Sequence, residues 1–247
     1  MKNKVEFFKQ DKFEIVQGSG KIDLPYHTHK SYTLVLVTSG ILTVCVNGIC
    51  QNVGENTMIV LPPNNGISMT HVEEYSYISL SLYEEFCSRL VKSVPNGIIT
   101  SDMGGRFANF LSEIEGIPES EFISKLEACI SLEGSLAPKE KIHSLIVQRA
   151  IEYMDKRTDF DFSMEQMAED LNVSQAYLSR AFKKEMCITP KQYMIQNRLR
   201  QVKRQLQDSD DETSIALDNG FSAESHLCSV FKKYMGVSIT DYKKCIK

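Results

Sequence analysis

The sequence predicts an α+β protein of two domains: an N-terminal β-barrel or sandwich with flanking helices, then an all-helical C-terminal domain. Three observations carry that expectation. Apolar runs in the first hundred residues are short, β-branched and bounded by turn residues. After Gly105 the apolar spacing changes from every second residue to every third and fourth. The last hundred residues repeat themselves once, with an offset of 48 to 49 positions.

Thr33-Leu34-Val35-Leu36-Val37 is a β-branched run that stops at Gly40. Val44-Cys45-Val46, Asn47-Gly48 and Ile49-Cys50 spell a hairpin, because a type I′ turn needs positive φ at both central residues and Asn-Gly tolerates it. Met58-Ile59-Val60-Leu61 ends at Pro62-Pro63, and from Tyr75 to Leu82 the residues Ile78, Leu80 and Leu82 alternate with Tyr77, Ser79 and Ser81. Short strands at this spacing suit a small barrel or sandwich.

Helical periodicity then takes over. Phe107, Phe110, Leu111 and Ile114 share one helix face, and Phe122, Leu126, Cys129 and Ile130 share another. Either face packs on the barrel or on a second subunit. Gly134-Ser135-Leu136-Ala137-Pro138-Lys139 reads as a linker, which sets the domains at residues 1–136 and 141–247. Beyond it a helix starts through Ile142, Leu145, Ile146, Arg149, Ala150, Tyr153 and Met154.

Composition narrows the class. The formal charge of -4 is uneven: residues 141–247 hold 17 basic and 15 acidic residues, and residues 1–140 hold 11 and 17. Such asymmetry suggests different partners for the two halves. No apolar run approaches the roughly 18 residues of a membrane span, and Met1 to Gln10 lacks the apolar core of a secretory signal, so a cytoplasmic protein without membrane contact is expected. The seven cysteines include no C-x-x-C pair and are odd in number, which predicts free thiols rather than a disulfide framework or zinc ribbon.

The repeat carries most of the information. Ala168 followed by Leu171-Asn172-Val173-Ser174 matches Ala216 followed by Asn219-Gly220-Phe221-Ser222. Phe182-Lys183-Lys184-Glu185-Met186 matches Phe231-Lys232-Lys233-Tyr234-Met235, and the segments opening at Ile188 and Val237 match in turn. Each copy reads helix, tight turn, helix. Ser163 with Gln166 forms a capping box, and Ser174 and Ser222 cap the second helices. Leu178 and Phe182, like Leu227 and Phe231, point to the core. Thr189-Pro190-Lys191-Gln192 opens a connecting helix that carries Arg198, Arg200, Lys203 and Arg204.

This pattern fits a helix-turn-helix reader of double-stranded DNA. Gln175, Ala176, Ser179 and Arg180 are the base-reading candidates of the first copy, and Glu224, Ser225 and Ser229 those of the second. Arg180 leads, since a guanidinium bonds guanine O6 and N7 together. Lys183, Lys184, Lys232 and Lys233 suit phosphates, as do the helix starts at Ser163, Ser174 and Ser222.

These residues also carry a family resemblance. Ser214-Ile215-Ala216, Gly220-Phe221-Ser222, Phe231-Lys232-Lys233, Gly236-Val237-Ser238 and Tyr242 resemble the signature of AraC-type (AraC/XylS) transcription regulators over about residues 141–245. The resemblance implies two units reading adjacent major-groove segments of a promoter, contact with RNA polymerase, and activation. The chain departs from the pattern where Cys187 replaces a common Gly and Ile239 a common Pro. It also has Leu227 and Ser229 where many members carry an aromatic residue and an Arg. From these differences, the first unit is expected to carry most base recognition, and the second to lean on phosphates and DNA shape.

His27-Thr28-His29, Gly54 and Pro62-Pro63 resemble the cupin-like effector and dimerisation barrel often fused to this reader, over residues 10–82. A metal-bearing cupin adds a Glu and a third His; here Tyr32 to Leu34 offer no Glu, and Gly66-Ile67-Ser68 stand where the His would be, with His71 close by. Two histidines make a poor divalent site, so no metal and no cofactor are expected. The barrel is read as holding a small organic effector, with His27, His29, Tyr32, Tyr75 and Tyr77 as polar lining, or else as purely structural. The chain is expected not to be an enzyme. A metal-dependent cupin enzyme lacks its ligands, and DNA alkylation repair lacks its activated cysteine. A regulator without a ligand, controlled by a partner protein or by pH, stays open.

Overall fold

The computed structural model describes residues 3–9, 13–83, 98–130, 143–156 and 163–246. The chain divides into two compact units, Met1–Lys141 and Ile142–Lys247. The linker read at Gly134–Lys139 lies outside the described residues.

The first unit holds two antiparallel sheets. One has six strands in the order β1-β2-β9-β4-β7-β10, and the other four in the order β3-β8-β5-β6. The runs read from sequence become β4 (Thr33–Ser39), β5 (Leu42–Val46), β6 (Ile49–Val53), β7 (Thr57–Leu61) and β9 (Tyr75–Leu82). The hairpin turn is as expected, with φ of 51° at Asn47 and 84° at Gly48. β1 (Lys4–Lys9), β2 (Phe13–Gly20), β3 (Leu24–Thr28), β8 (Gly66–His71) and β10 (Ile98–Ser101) complete the sheets.

Alternation along β9 sorts the large sheet into two faces. Leu80 and Leu82, with Leu34, Leu36, Met58 and Val60, form a core against the helices α1 (Arg106–Glu113) and α2 (Glu119–Ile130). Phe107, Phe110, Phe122 and Leu126 supply the helical side of that core, so both apolar helix faces are used within the subunit. Asp102 anchors α1 by accepting from the amides of Phe107 and Ala108, at 2.9 and 3.0 Å. The opposite face of β9 carries Tyr75 and Tyr77. The Tyr77 ring lies so close over Gly18 that a Cβ there would sit 2.2 Å from Cε1.

The expectation of free cysteines is corrected at one pair. The two-residue turn puts Cys45 directly opposite Cys50 in the β5–β6 ladder, and their sulfurs are bonded. Cys129, Cys187, Cys228 and Cys245 are free.

The second unit is helical: α3 (Leu145–Lys156), α4 (Met164–Asp170), α5 (Gln175–Met186), α6 (Pro190–Asp208), α7 (Glu212–Asp218), α8 (Glu224–Met235) and α9 (Ile239–Ile246). Its internal duplication is visible bond by bond. Val173 N donates to Ala168 O at 2.9 Å, and Phe221 N donates to Ala216 O at the same distance. Phe182 meets Tyr193 edge-on at 5.6 Å, and Phe231 meets Tyr242 at 5.4 Å. Outside the repeat, α6 adds two cation–ring contacts, Arg200 over the Tyr193 ring of its own helix and Lys203 over the Tyr242 ring of α9. Ala168 and Ala216, 3% and 0% exposed, let the paired helices approach closely.

Candidate nucleic-acid interface

Each reading helix is fixed by its core side and free on the other. In α5, Leu178, Phe182 and Met186 are buried at helical spacing, while Gln175, Ala176, Arg180, Lys183 and Lys184 are exposed and Ser179 is partly so. In α8, Leu227 and Phe231 are buried, and Glu224, Ser225, Ser229, Lys232 and Lys233 are exposed. The positions assigned to bases and phosphates therefore lie on the outer faces of two equivalent helices. Arg180 folds along its own helix, Nε donating to Ala176 O at 3.2 Å, which leaves the rest of its guanidinium in solvent.

The caps hold with two corrections. Ser174 Oγ accepts from Tyr177 N at 3.2 Å, and Ser163 Oγ accepts from Gln166 N at 3.3 Å. The reciprocal arm of the Ser163 box is missing: the Gln166 side chain runs along its own helix, Nε2 donating to Asp170 Oδ1 at 3.0 Å. Ser222 is not the cap of α8: Ala223 occupies that place, and Ser222 Oγ bonds His226 Nδ1 at 3.1 Å. The cause is one extra residue in the second turn, which carries Ser222 a step out of register. The Thr189–Gln192 box is complete, with Pro190 in the first turn.

The connecting helix α6 is a spine. It has 19 residues, about 28 Å at 1.5 Å per residue. Asp155 on α3 accepts from Tyr193 Oη and Asn197 Nδ2, at 3.2 and 3.1 Å. From the middle of the helix Arg198 Nη1 donates to Gly220 O in the second turn at 2.7 Å, and near the far end Gln205 accepts from Asn219 Nδ2. Three of its cations thus serve packing: Arg198 reaches the second turn, Lys203 lies over the Tyr242 ring of α9, and Arg200 lies over the Tyr193 ring of its own helix, while Arg204 is exposed. Burial drives the Arg200 guanidinium down from its ordinary value, with the facing Tyr193 and Asp155 countering the fall.

Two features escaped the sequence reading. Tyr177, 49% exposed, stands on α5 between Ala176 and the buried Leu178, one helical turn before Arg180. Its place outside the Leu178–Phe182–Met186 stripe is the signal the sequence offers. The second is an acid–thiol group: Glu212, Glu224 and Cys228 bring their donor atoms within 4.8 Å of one another. Glu224 also accepts from Thr213 Oγ1 at 2.6 Å, so this base-reading candidate is already hydrogen-bonded inside its own unit.

In the first unit the five effector candidates separate. The His27 and His29 rings lie 4.9 Å apart, and His27 Nδ1 is 2.8 Å from Pro25 O. Tyr75 and Tyr77 stack at 6.0 Å, with Tyr75 Oη donating to Ile22 O at 2.9 Å. Burial raises both phenols well above their ordinary value. Tyr32 belongs elsewhere: it is wholly buried in the core between the large sheet and the helices, so it does not line the interior with Tyr75 and Tyr77. His71 is held by Asp23, Nδ1 to Oδ1 at 2.7 Å, rather than completing a triad with the other two histidines.

Two equivalent helix-turn-helix units on one spine, each with a solvated basic reading helix, define a DNA-binding domain. The comparisons with known proteins narrow the class. Residues 167–244 match the family model described as a helix-turn-helix domain. The melibiose operon regulatory protein of Escherichia coli K12 is 30% identical over 99 residues, covering 40% of this chain and 33% of that protein. The chain spans about a third of the length of that relative and of a Haemophilus influenzae HTH-type transcriptional regulator. MtrA of Neisseria gonorrhoeae is 23% identical over 255 residues, 85% of each chain. ToxT of Vibrio cholerae O395 shares the fold across 99% of this chain and 98% of its own, with a TM-score of 0.63 and 13% identity. ToxT has also been solved with an unsaturated fatty acid bound (TM-score 0.59, 15% identity, 96% of each chain). The C-terminal domain is a DNA-binding helix-turn-helix domain of the AraC type. Among the described residues, no helix is long and apolar enough to cross a membrane.

Proposed function

We propose that the chain is a transcription regulator, an activator that meets RNA polymerase at the promoters it reads. In this reading α5 and α8 enter successive major-groove segments, and the spine α6 sets their spacing near one DNA turn, roughly 34 Å. The observation that carries it is the duplicated unit, with matching turn bonds at Ala168 and Ala216 and exposed outer faces on both reading helices. Arg180 is the principal base reader, and the lysines of α5 and α8 hold phosphates.

The N-terminal unit senses a small molecule or joins two copies, without enzyme chemistry of its own. The unsaturated fatty acid bound to ToxT, a protein of the same fold, supports a small-molecule ligand for this chain. A second reading, control by pH without a ligand, draws on the His27–His29 pair, since rings 4.9 Å apart resist protonation together.

The test is binding to sites selected from random duplex DNA. Arg180→Ala should lose about 1–3 kcal/mol on the selected site and far less on random DNA. Equal losses on both would reduce Arg180 to a phosphate contact. A larger shift in site preference on changing Glu224 and Ser225 would move base reading to the second unit.

A further inference from the structure

We propose that the groove where β1 and β2 meet the α1–α2 connection binds a hydrophobic cation, an amphiphile with a quaternary or protonated amine head. The groove has a volume of about 670 Å³, within the usual range for a small-molecule site. Phe8 and Ile15 are cross-strand partners and so share a face of the sheet, where Phe13 continues the apolar wall. Leu111 and Ile117 close the helical side. Phe8 is 49% exposed, a large apolar ring left in solvent on a strand that ends the six-stranded sheet.

The rim decides which amphiphile fits. Glu113 and Glu115 line the groove and are exposed; among the described residues neither has a cationic partner. Lys125, the cation of the lining, is paired with Glu121 at 3.3 Å. Among the described residues, the rim therefore carries two carboxylates outside any ion pair beside an apolar trough. A carboxylate head would be repelled there. A quaternary ammonium needs no hydrogen-bond partner, only a negative field and an aromatic or apolar wall, and Phe8 offers its ring as well. The acidic surplus of residues 1–140 acts in the same direction.

This site deepens the sensing role proposed above, and rests on that role for its consequence rather than for the binding. The experiment is calorimetric titration of the full chain with decyltrimethylammonium and with decanoate, both below micelle formation. The ammonium should bind at one site about tenfold more tightly than decanoate, and more weakly as salt rises. Glu113→Gln with Glu115→Gln should weaken the ammonium about fivefold and narrow its lead, while Phe8→Ala weakens both ligands. These residues are exposed, and unchanged thermal melting of each variant would show an intact fold. Decanoate binding as well as the ammonium, or ammonium binding indifferent to both glutamate changes, would overturn the proposal. DNA affinity measured in parallel separates the two claims: saturable, glutamate-dependent ammonium binding that leaves DNA affinity unchanged upholds the site and removes the sensing role.

Discussion

At Cys187 the backbone adopts φ of 60°, the left-handed conformation that ends α5, and its counterpart after α8 is Gly236 with φ of 75°. A side chain there costs energy that glycine avoids. Cys187→Gly should therefore raise the stability of the helical unit by roughly 1 kcal/mol, after allowing for glycine's extra freedom in the unfolded chain; chemical denaturation would detect it. A loss of stability would mean that the partly buried thiol contributes more than the strain removes. Glu224 poses an electrostatic question. Its carboxylate opens α8, favouring the helix dipole but opposing a phosphate at the same end. Glu224→Gln should raise affinity for any duplex about threefold at low salt, with the gain fading as salt screens it. A change confined to one base position would show instead that Glu224 reads sequence.

At the level of strands and helices, close packing of the first unit depends on Gly18 under Tyr77. Gly18→Ala should destabilise that unit by about 1–3 kcal/mol, since the added carbon meets a buried ring. Restoration in the double variant with Tyr77→Leu would tie the loss to this contact. Such pairings were invisible in the sequence, as were β1, β2, β3 and β8, whose runs are short or broken by Pro25, Gly18 and Gly66. The β-branched runs of β4 and β7 and the Asn47-Gly48 hairpin were legible because local propensity agrees with the final packing there. The Cys45–Cys50 bond was within reach of that reading, since a two-residue turn pairs Val46 with Ile49 and the next rung with Cys50. The helical duplication was read nearly whole, because paired Ala and Phe positions recur with the turn between them. Ser222 was misplaced because a one-residue insertion leaves the core spacing within α8 untouched. The groove of Phe8 and Leu111 had no sequence signal at all: its walls come from four separate segments.

For the whole molecule, the modest charge balance of the helical half matters less than where its cations lie. Arg198, Arg200 and Lys203 are committed to the interior contacts of the domain, which leaves Lys183, Lys184, Lys232 and Lys233 as exposed lysines of the reading helices. Changing Lys183 and Lys232 to Gln should weaken binding evenly across DNA sequences, and reduce the slope of log affinity against log salt by about 1.8. An unchanged slope would place both lysines away from the backbone of bound DNA. Changing Arg198 should act differently, lowering thermal stability and DNA affinity together, because it ties the spine to the second turn.

The two turns differ by one residue, yet the helices that follow them have the same 12-residue length, each with a buried Leu and Phe four apart, a Lys-Lys pair and a left-handed end. That makes α5 and α8 interchangeable parts. A chain carrying α5 in both places should fold and should come to prefer a direct repeat of the first half-site, and removing Ala223 should return Ser222 to the start of the helix. Substitution on the outer faces is then enough for two copies of one reader to diverge in what they read, while the frame that holds them absorbs the extra residue of the second turn.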